Sequence, residues 1–276
     1  MLAKASQDPK VHIIYHPNGI GNGMPITEMT LLAKEDNVML LEDDGFIFEP
    51  RKVDEFFRII ELGVADAVGS PRGSCGKEVW DGMQKKYNLD YTAYGDVGPN
   101  YWPNFFFCKR EDLLKTDLNF GSKKFPKGEY FKEIDHTFTE DNFGDTFVWA
   151  DIQMRYNGVR FYNVPQFHAS PTEPDDKQQE IMNWIGEAPY WIHGGSLSAG
   201  LGGYLSGNLP DLSTDGAKRE IESRVAFWTI ASDEVEGFTE FKKEYKAGIE
   251  ELVVNGKLEK DRINDKISLY RQLMRV

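Results

Sequence analysis

Short apolar runs alternate with amphipathic stretches over the first two-thirds of the chain, and the pattern then becomes helical and charged. Val38–Leu41 is a continuous apolar run of the kind a buried strand carries. Ala65–Gly69, Phe105–Cys108 and Val159–Val164 read as further strands. Val11–Tyr15 is a β-type run ended by His16-Pro17-Asn18-Gly19. Helical spacing separates these runs. Lys52–Leu62 puts Val53, Phe56, Phe57 and Ile60 on one face. A helix is predicted from Pro25 or Ile26 to Ala33, with Leu31 and Leu32 turned inward. Another short helix starts at Arg110-Glu111-Asp112-Leu113-Leu114, and Thr146–Asn157 is a helix stopped by Gly158. Residues 70–104, rich in Gly, Pro, Asn and Tyr, are expected to form a long, partly ordered segment at an active site.

Strands alternating with helices point to an α/β domain over residues 1–175. Residues 176–276 are expected to be an appendage: a glycine-rich loop over 188–210, then helices over 215–231, 238–254 and 258–274. The last carries Ile263, Ile267, Leu269, Tyr270 and Leu273. At 276 residues, the chain has room for one large domain with such an addition.

A net charge of −13 argues against an extended nucleic-acid surface, because phosphate binding needs clustered cations. An anionic substrate would therefore be met by a metal or by a few placed cations. The two cysteines, Cys75 and Cys108, are expected to be reduced, with Cys108 a small buried apolar group. The first residues lack the apolar core of a signal peptide, and no run approaches the roughly 20 residues that span a bilayer. A cytoplasmic, soluble protein is the expectation.

Candidate chemistry starts where the strand at 38–41 ends in Glu42-Asp43-Asp44, before Gly45. Strand ends are where open α/β sheets bind ligands. Alternation along an extended chain sets Glu42 and Asp44 to one side and Asp43 to the other. Paired carboxylates make a hard-oxygen site for Mg²⁺ or Mn²⁺, which can in turn hold a diphosphate. Downstream, Asp145 sits before a helix start, where the positive helix end keeps a carboxylate ionised. It is the preferred general base, with helix capping as the plain alternative. Asp151 is the second catalytic candidate, although pairing with Arg155 four residues on is the favoured reading. Trp191-Ile192-His193-Gly194-Gly195-Ser196 can bring backbone N–H groups, His193 and Ser196 to a phosphate. Tyr101 and Trp102 can stack on an acceptor ring, or can simply close the core.

The order of these motifs resembles the family-2-like nucleotide-sugar glycosyltransferases of the GT-A fold, over about residues 11–170. Glu42-Asp43-Asp44 resembles the family's Asp-x-Asp metal motif, and Asn18-Gly19-Ile20-Gly21 its Asn-x-Gly loop. Phe105–Leu114 resembles its central strand and helix start, and Asp151-Ile152-Gln153-Met154-Arg155…Gly158 its acidic helix. Val164-Pro165-Gln166-Phe167-His168 resembles the strand end whose His completes the metal site. The resemblance implies a GT-A-like mixed sheet flanked by helices, metal ligands Asp44, Glu42 and His168, donor contacts at Asp43 and Asn18, and a nucleotide-sugar donor. The acceptor would be a glycan, a lipid-linked group or a protein, and transfer would invert the anomeric centre. The family opens with strands that hold the base and ribose. Here the first β-type run already leads into the Asn-Gly loop, so either those strands precede Met1 or the nucleotide pocket is built differently. Two rival readings are a non-catalytic scaffold with a transferase-like core, and a metal-dependent phosphoester hydrolase using the same acids to activate water.

Overall fold

The computed structural model describes residues 7–16, 20–21, 23–42, 45–47, 50–69, 75–89, 101, 103–164, 166–168, 183–185 and 191–193. In the C-terminal region it describes 218, 221–222, 225–226, 229–230, 247–248 and 250–274. Two compact units result: Asn18–Phe167 with Trp184–Trp191, and Met1–Pro17 with His168–Asn183 and Ile192–Val276.

The first unit runs α1 (Gly23–Leu32), β1 (Asn37–Leu40), β2 (Gly45–Ile47), α2 (Arg51–Glu61), β3 (Ala67–Gly69) and α3 (Lys77–Tyr87). It continues with β4 (Phe106–Lys109), α4 (Arg110–Leu114), β5 (Lys123–Phe125), β6 (Tyr130–Phe131), β7 (His136–Thr137), β8 (Asn142–Gly144), α5 (Val148–Tyr156) and β9 (Phe161–Asn163). Four of these strands form a mixed sheet in the order β1-β4-β3-β9. β4 runs antiparallel to both of its neighbours, and β3 and β9 are parallel. The family resemblance expected a mixed α/β sheet with the Phe105 strand inside it, and the observed sheet has that coarse form.

The physical reason is the alternation along β4. Phe106 and Cys108 face one layer, together with Leu40, Ala67, Phe147, Ala150, Met154 and Leu113. Phe105 and Phe107 face the other, with Val68, Phe56, Ile60 and Val164. A strand apolar on both faces can only sit inside a sheet covered on both sides. Here α2 covers one side, and α5, α4 and the start of α1 cover the other. Phe107 meets Phe56 and Phe57 edge-on, with ring centroids 5.4 Å and 5.1 Å away. A third cluster packs Val79 and Met83 of α3 against Phe125, Ile134, Phe138, Trp149 and Ile152.

One edge of the sheet is locked by charge. Asp66, just before β3, binds Lys109 Nζ at 2.7 Å and Arg160 Nε at 2.8 Å. The Arg160 guanidinium and then Lys109 hold its carboxyl well below the usual range, against its partial burial. This ties the start of β3 to the end of β4 and to the approach to β9.

Several expectations need correction. Val11–Tyr15 forms no strand and is exposed, Tyr15 at 78%. Its apolar run has no sheet partner among the described residues. The first helix starts two residues before Pro25, and its buried residues are Gly23, Ile26 and Thr30. Leu31 and Leu32 point outward at 54% and 59% exposure. That helix is apolar all round, so its sequence does not say which face turns inward. Residues 70–104 contain α3, a helix hidden by the glycines at 73, 76 and 82. Gly76 is its N-cap, with a Cβ excluded by Asn142 Oδ1 at 2.2 Å. The segment 120–145 carries two small antiparallel pairs, β5-β8 and β6-β7. Both cysteines are free thiols, and Cys108 is fully buried as expected.

Three short strands follow, β10 (Gln166–His168), β11 (Asn183–Ile185) and β12 (Trp191–His193). The second unit is helical in its described C-terminal part, ending in α6 (Lys260–Met274). Ile221, Val225, Ala226 and Ile230 are buried at helical spacing, as are Leu252, Leu258 and Ile263. Glu222 is fully buried and binds Arg262 Nε at 2.9 Å, while the Glu259 N–H donates to it at 2.6 Å. Burial pushes the Glu222 carboxyl up, and the Glu259 N–H and Arg262 oppose that shift. No described helix is long and apolar enough to cross a membrane.

Phe107→Ala should remove the hinge between β4 and α2 and lower stability by about 3–5 kcal/mol, read by denaturant unfolding. Tyr15→Ala, at an exposed position, should change stability by no more than about 0.5 kcal/mol.

Candidate functional site

Asp145 is the predicted site residue that the fold presents most clearly. Gly144 ends β8, and α5 starts at Val148 with Phe147 as its N-cap. Phe147 has φ +72°, a left-handed conformation that disfavours residues with a Cβ. Its ring is fully buried, stacked on Phe120 at 5.9 Å and edge-on to Phe106 at 5.1 Å. Its N–H donates to Phe120 O at 2.7 Å. Burial of the ring offsets the backbone strain and fixes the turn. Asp145 is therefore not the helix cap, which corrects the plain alternative. Its Oδ1 accepts the Thr146 N–H at 2.7 Å and faces the Ser122 hydroxyl at 3.5 Å.

The Asp145 carboxylate is half-buried in a cleft of about 370 Å³. The glycine-rich start of α1 (Gly21, Gly23, Met24) forms one wall, and Asn119, Gly121 and Ser122 form another. The walls meet because Gly23 packs directly on Gly121: a Cβ on Gly23 would fall 2.0 Å from Gly121 N. Thr27 fastens the same corner by donating its hydroxyl to Leu118 O at 2.8 Å. The sequence reading did not single out Thr27, Asn119 or Ser122. The only sequence signal available was Gly121-Ser122 following an apolar Phe120.

Asp151 takes the favoured alternative role. It is fully buried, binds Arg155 Nε at 2.9 Å and accepts the Tyr101 N–H at 3.2 Å. Burial pushes its carboxyl up to about 6, against the pull of Arg155. Arg155 in turn lies over the rings of Phe161 at 4.3 Å and Tyr101 at 5.3 Å. Tyr101 is itself fully buried, stacked on Phe161 at 4.9 Å, and donates its hydroxyl to Asn163 Oδ1. A ring with no exposed face cannot stack on an acceptor, so Tyr101 closes the core.

Glu42 is half-buried at the end of β1, on the carboxyl edge of the sheet. Asp43, Asp44, Asn18, Trp102 and Ser196 lie outside the described residues, as do the side chains of His168 in β10 and His193 in β12. Among the described residues no group of three or more His, Cys, Asp or Glu is arranged to hold a metal.

His136, which the sequence left without a role, belongs to a further charged cluster. Glu78, in the first turn of α3, lies 2.6 Å from His136 Nε2. Thr139 donates to Glu78 from its N–H at 2.9 Å and its hydroxyl at 2.7 Å, and the Glu140 N–H adds a bond at 3.1 Å. The His136 contact first, then Thr139, hold the Glu78 carboxyl down at about 2. All of these bonds fasten the 136–142 segment to α3, beside the start of β8.

Two outcomes follow from these placements. Removing Asp151 leaves a buried Arg155 without its carboxylate, so Asp151→Ala should cost about 3–5 kcal/mol at neutral pH by denaturant unfolding. The Glu78 carboxyl is depressed from 4.5 to about 2 in the folded state, so its stabilisation is present above about pH 4.5 and is lost as pH falls toward 2. Glu78→Gln should flatten that part of the acid limb of a melting-temperature profile; an unchanged limb would reject the clamp.

No protein-family model matches this chain, and no curated protein matches it.

Proposed function

We propose that this protein is a metal-dependent glycosyltransferase that moves a sugar from a nucleotide-sugar donor to a hydroxyl acceptor, with inversion. The reading rests first on the motif order in the sequence. The structural observation that carries it is the Asp145 carboxylate facing a cleft of about 370 Å³, within the size range of small-ligand sites. Oδ1 of that carboxylate is steadied by the Thr146 N–H at 2.7 Å. Among the described residues Oδ2 has no donor and is left to accept a proton. The position of Glu42 at the carboxyl edge of a mixed sheet agrees with the same reading.

In the reaction the acceptor oxygen attacks C1 of the donor sugar. Its bond to C1 forms as the bond from C1 to the diphosphate oxygen breaks, and the hydroxyl proton passes to Asp145. The cleft walls orient the acceptor, and Thr146 and Ser122 keep the carboxylate turned toward it. The acids at 42–44 are the residues that would hold Mn²⁺ or Mg²⁺. Their carboxylate chemistry fits a hard cation, and Glu42 is the member within the described residues. When bound, a divalent ion would supply neutralisation of the leaving diphosphate.

Thermal shifts with UDP-, GDP- and CMP-sugars, each with Mn²⁺ or with EDTA, test the proposal. Metal-dependent stabilisation by one donor is expected, and no shift with any donor would overturn the transferase reading. Asp44→Asn should abolish that shift. Asp145→Asn should keep it while lowering turnover by about 10²–10⁴-fold, the usual contribution of a general base. Full turnover in Asp145→Asn would remove Asp145 from that role.

A further inference from the structure

The β5–β8 ladder leads away from the Asp145 cleft, and its register sorts its side chains between two faces. Lys123 stands opposite Gly144, Lys124 opposite Phe143 and Phe125 opposite Asn142. Phe125, Asn142 and Gly144 point inward and are buried. Lys123 turns the same way, its Nζ 4.3 Å over the Trp149 ring. Alternation sends Lys124 and Phe143 to the other face, and both are exposed, Phe143 at 53%. One step beyond the ladder the same face carries Ser122 and Asp145, whose Oγ and Oδ1 lie 3.5 Å apart. Phe143 therefore shares a face with the cleft carboxylate, two residues along a strand, or about 7 Å away.

A single exposed apolar residue needs no ligand in general. Phe143 differs in how it is held. Its strand is paired with β5 on one side. On the other, Cys75 bridges Gly144 and the Gly76 N–H donates to Phe143 O at 2.7 Å. The backbone is thus fixed from both sides while the ring stays bare. No other phenylalanine whose side chain is described is exposed. The surroundings of the ring are polar: Lys124 across the ladder, Ser122 and Asp145 toward the cleft, and Asp141, which accepts the Lys127 N–H at 2.8 Å, on the far side. A lone ring in such a frame is too small a surface for an acyl chain or a protein partner, which need a continuous apolar area. It matches a pyranose, whose C–H face is apolar and whose rim is hydroxyl. Polarised C–H groups meet the negative face of an aromatic ring favourably. Within the cleft, Thr27, Asn119, Ser122 and Thr146 line the wall, and no Lys, Arg or His does so among the described residues.

We propose that the acceptor is a glycan that lies along this face, its terminal uncharged sugar in the Asp145 cleft and the next sugar stacked on Phe143. The proposal deepens the transferase reading above and rests on it for the role of Asp145. The spacing suits a chain of sugars, because the ring stands beside the cleft and not within it. Lys124, opposite Phe143, is placed to donate to hydroxyls at the rim of the stacked sugar.

The test uses the full chain and two substitutions. Phe143→Thr removes the ring and keeps a good strand former; Phe143→Trp keeps an aromatic face. Saturation-transfer NMR and calorimetry follow cellotriose, maltotriose, chitotriose and mannotriose, each beside its monosaccharide. The wild-type chain should bind one of these trisaccharides more tightly than its monosaccharide, with saturation on the ring C–H protons. Phe143→Thr should weaken that trisaccharide's Kd about tenfold, and Phe143→Trp should hold it near the wild-type value. The melting temperature of Phe143→Thr should stay within about 2 °C of wild type. A larger fall would assign the ring to the fold and overturn the proposal, as would an unchanged trisaccharide affinity in Phe143→Thr. If a sugar nucleotide shifts the wild-type melt but no trisaccharide binds, the proposal alone fails. If a trisaccharide binds through Phe143 but no sugar nucleotide shifts the melt, the transferase reading fails and the glycan platform stands.

Discussion

Burial of β4 on both faces is the constraint on which the first unit depends. Its side chains alternate between two aromatic-rich layers, so the strand must be interior and must be covered twice. The neighbours β1 and β3, the cover helix α2 on one side and α5 on the other all follow from that requirement. Asp66, Lys109 and Arg160 then pin one edge of the sheet by charge.

The same core sets up two polar positions. Phe105 and Phe147 both hold left-handed backbones, at φ +56° and +72°, and both rings are buried. Such a conformation costs about 1–2 kcal/mol for a residue with a Cβ, and burying a Phe side chain returns about 1.5–3 kcal/mol. Each ring therefore acts as an anchor that bends the chain. Asn104 directly precedes the first, and Asp145 lies two residues before the second. Hydrophobic burial, not local polar bonding, decides where these two groups stand.

Charge plays two different parts in the unit. Asp151, with Arg155, is sealed beneath aromatic rings and serves packing. Asp145 stays half-buried at a cleft, and only one of its two oxygens meets a donor among the described residues. Both are acids close to α5, six residues apart, and the four-residue spacing to Arg155 marks Asp151 alone as half of an ion pair. What separates them is a turn: Asp151 lies within the helix on its inward face, while Asp145 lies before the Phe147 bend.

By itself the sequence determined the strands at 38–41, 65–69, 105–108 and 159–164 and the helices over 52–62 and 146–157, because apolar periodicity is a local property. It also determined the Asp151–Arg155 pair, since four-residue spacing on a helix is local geometry. The inward face of α1 was not legible, because that helix is apolar on every side and only its neighbours choose a face. Nor was α3, whose glycines mask a helix that packing against Phe125 and Ile134 supports. Tertiary structure alone decided that Tyr101 is a core residue, that Thr27 and Ser122 share a cleft with Asp145, and that Asn104 is buried with no hydrogen-bonding partner among the described residues. These are matters of which distant segments meet, and burial is fixed only when they do.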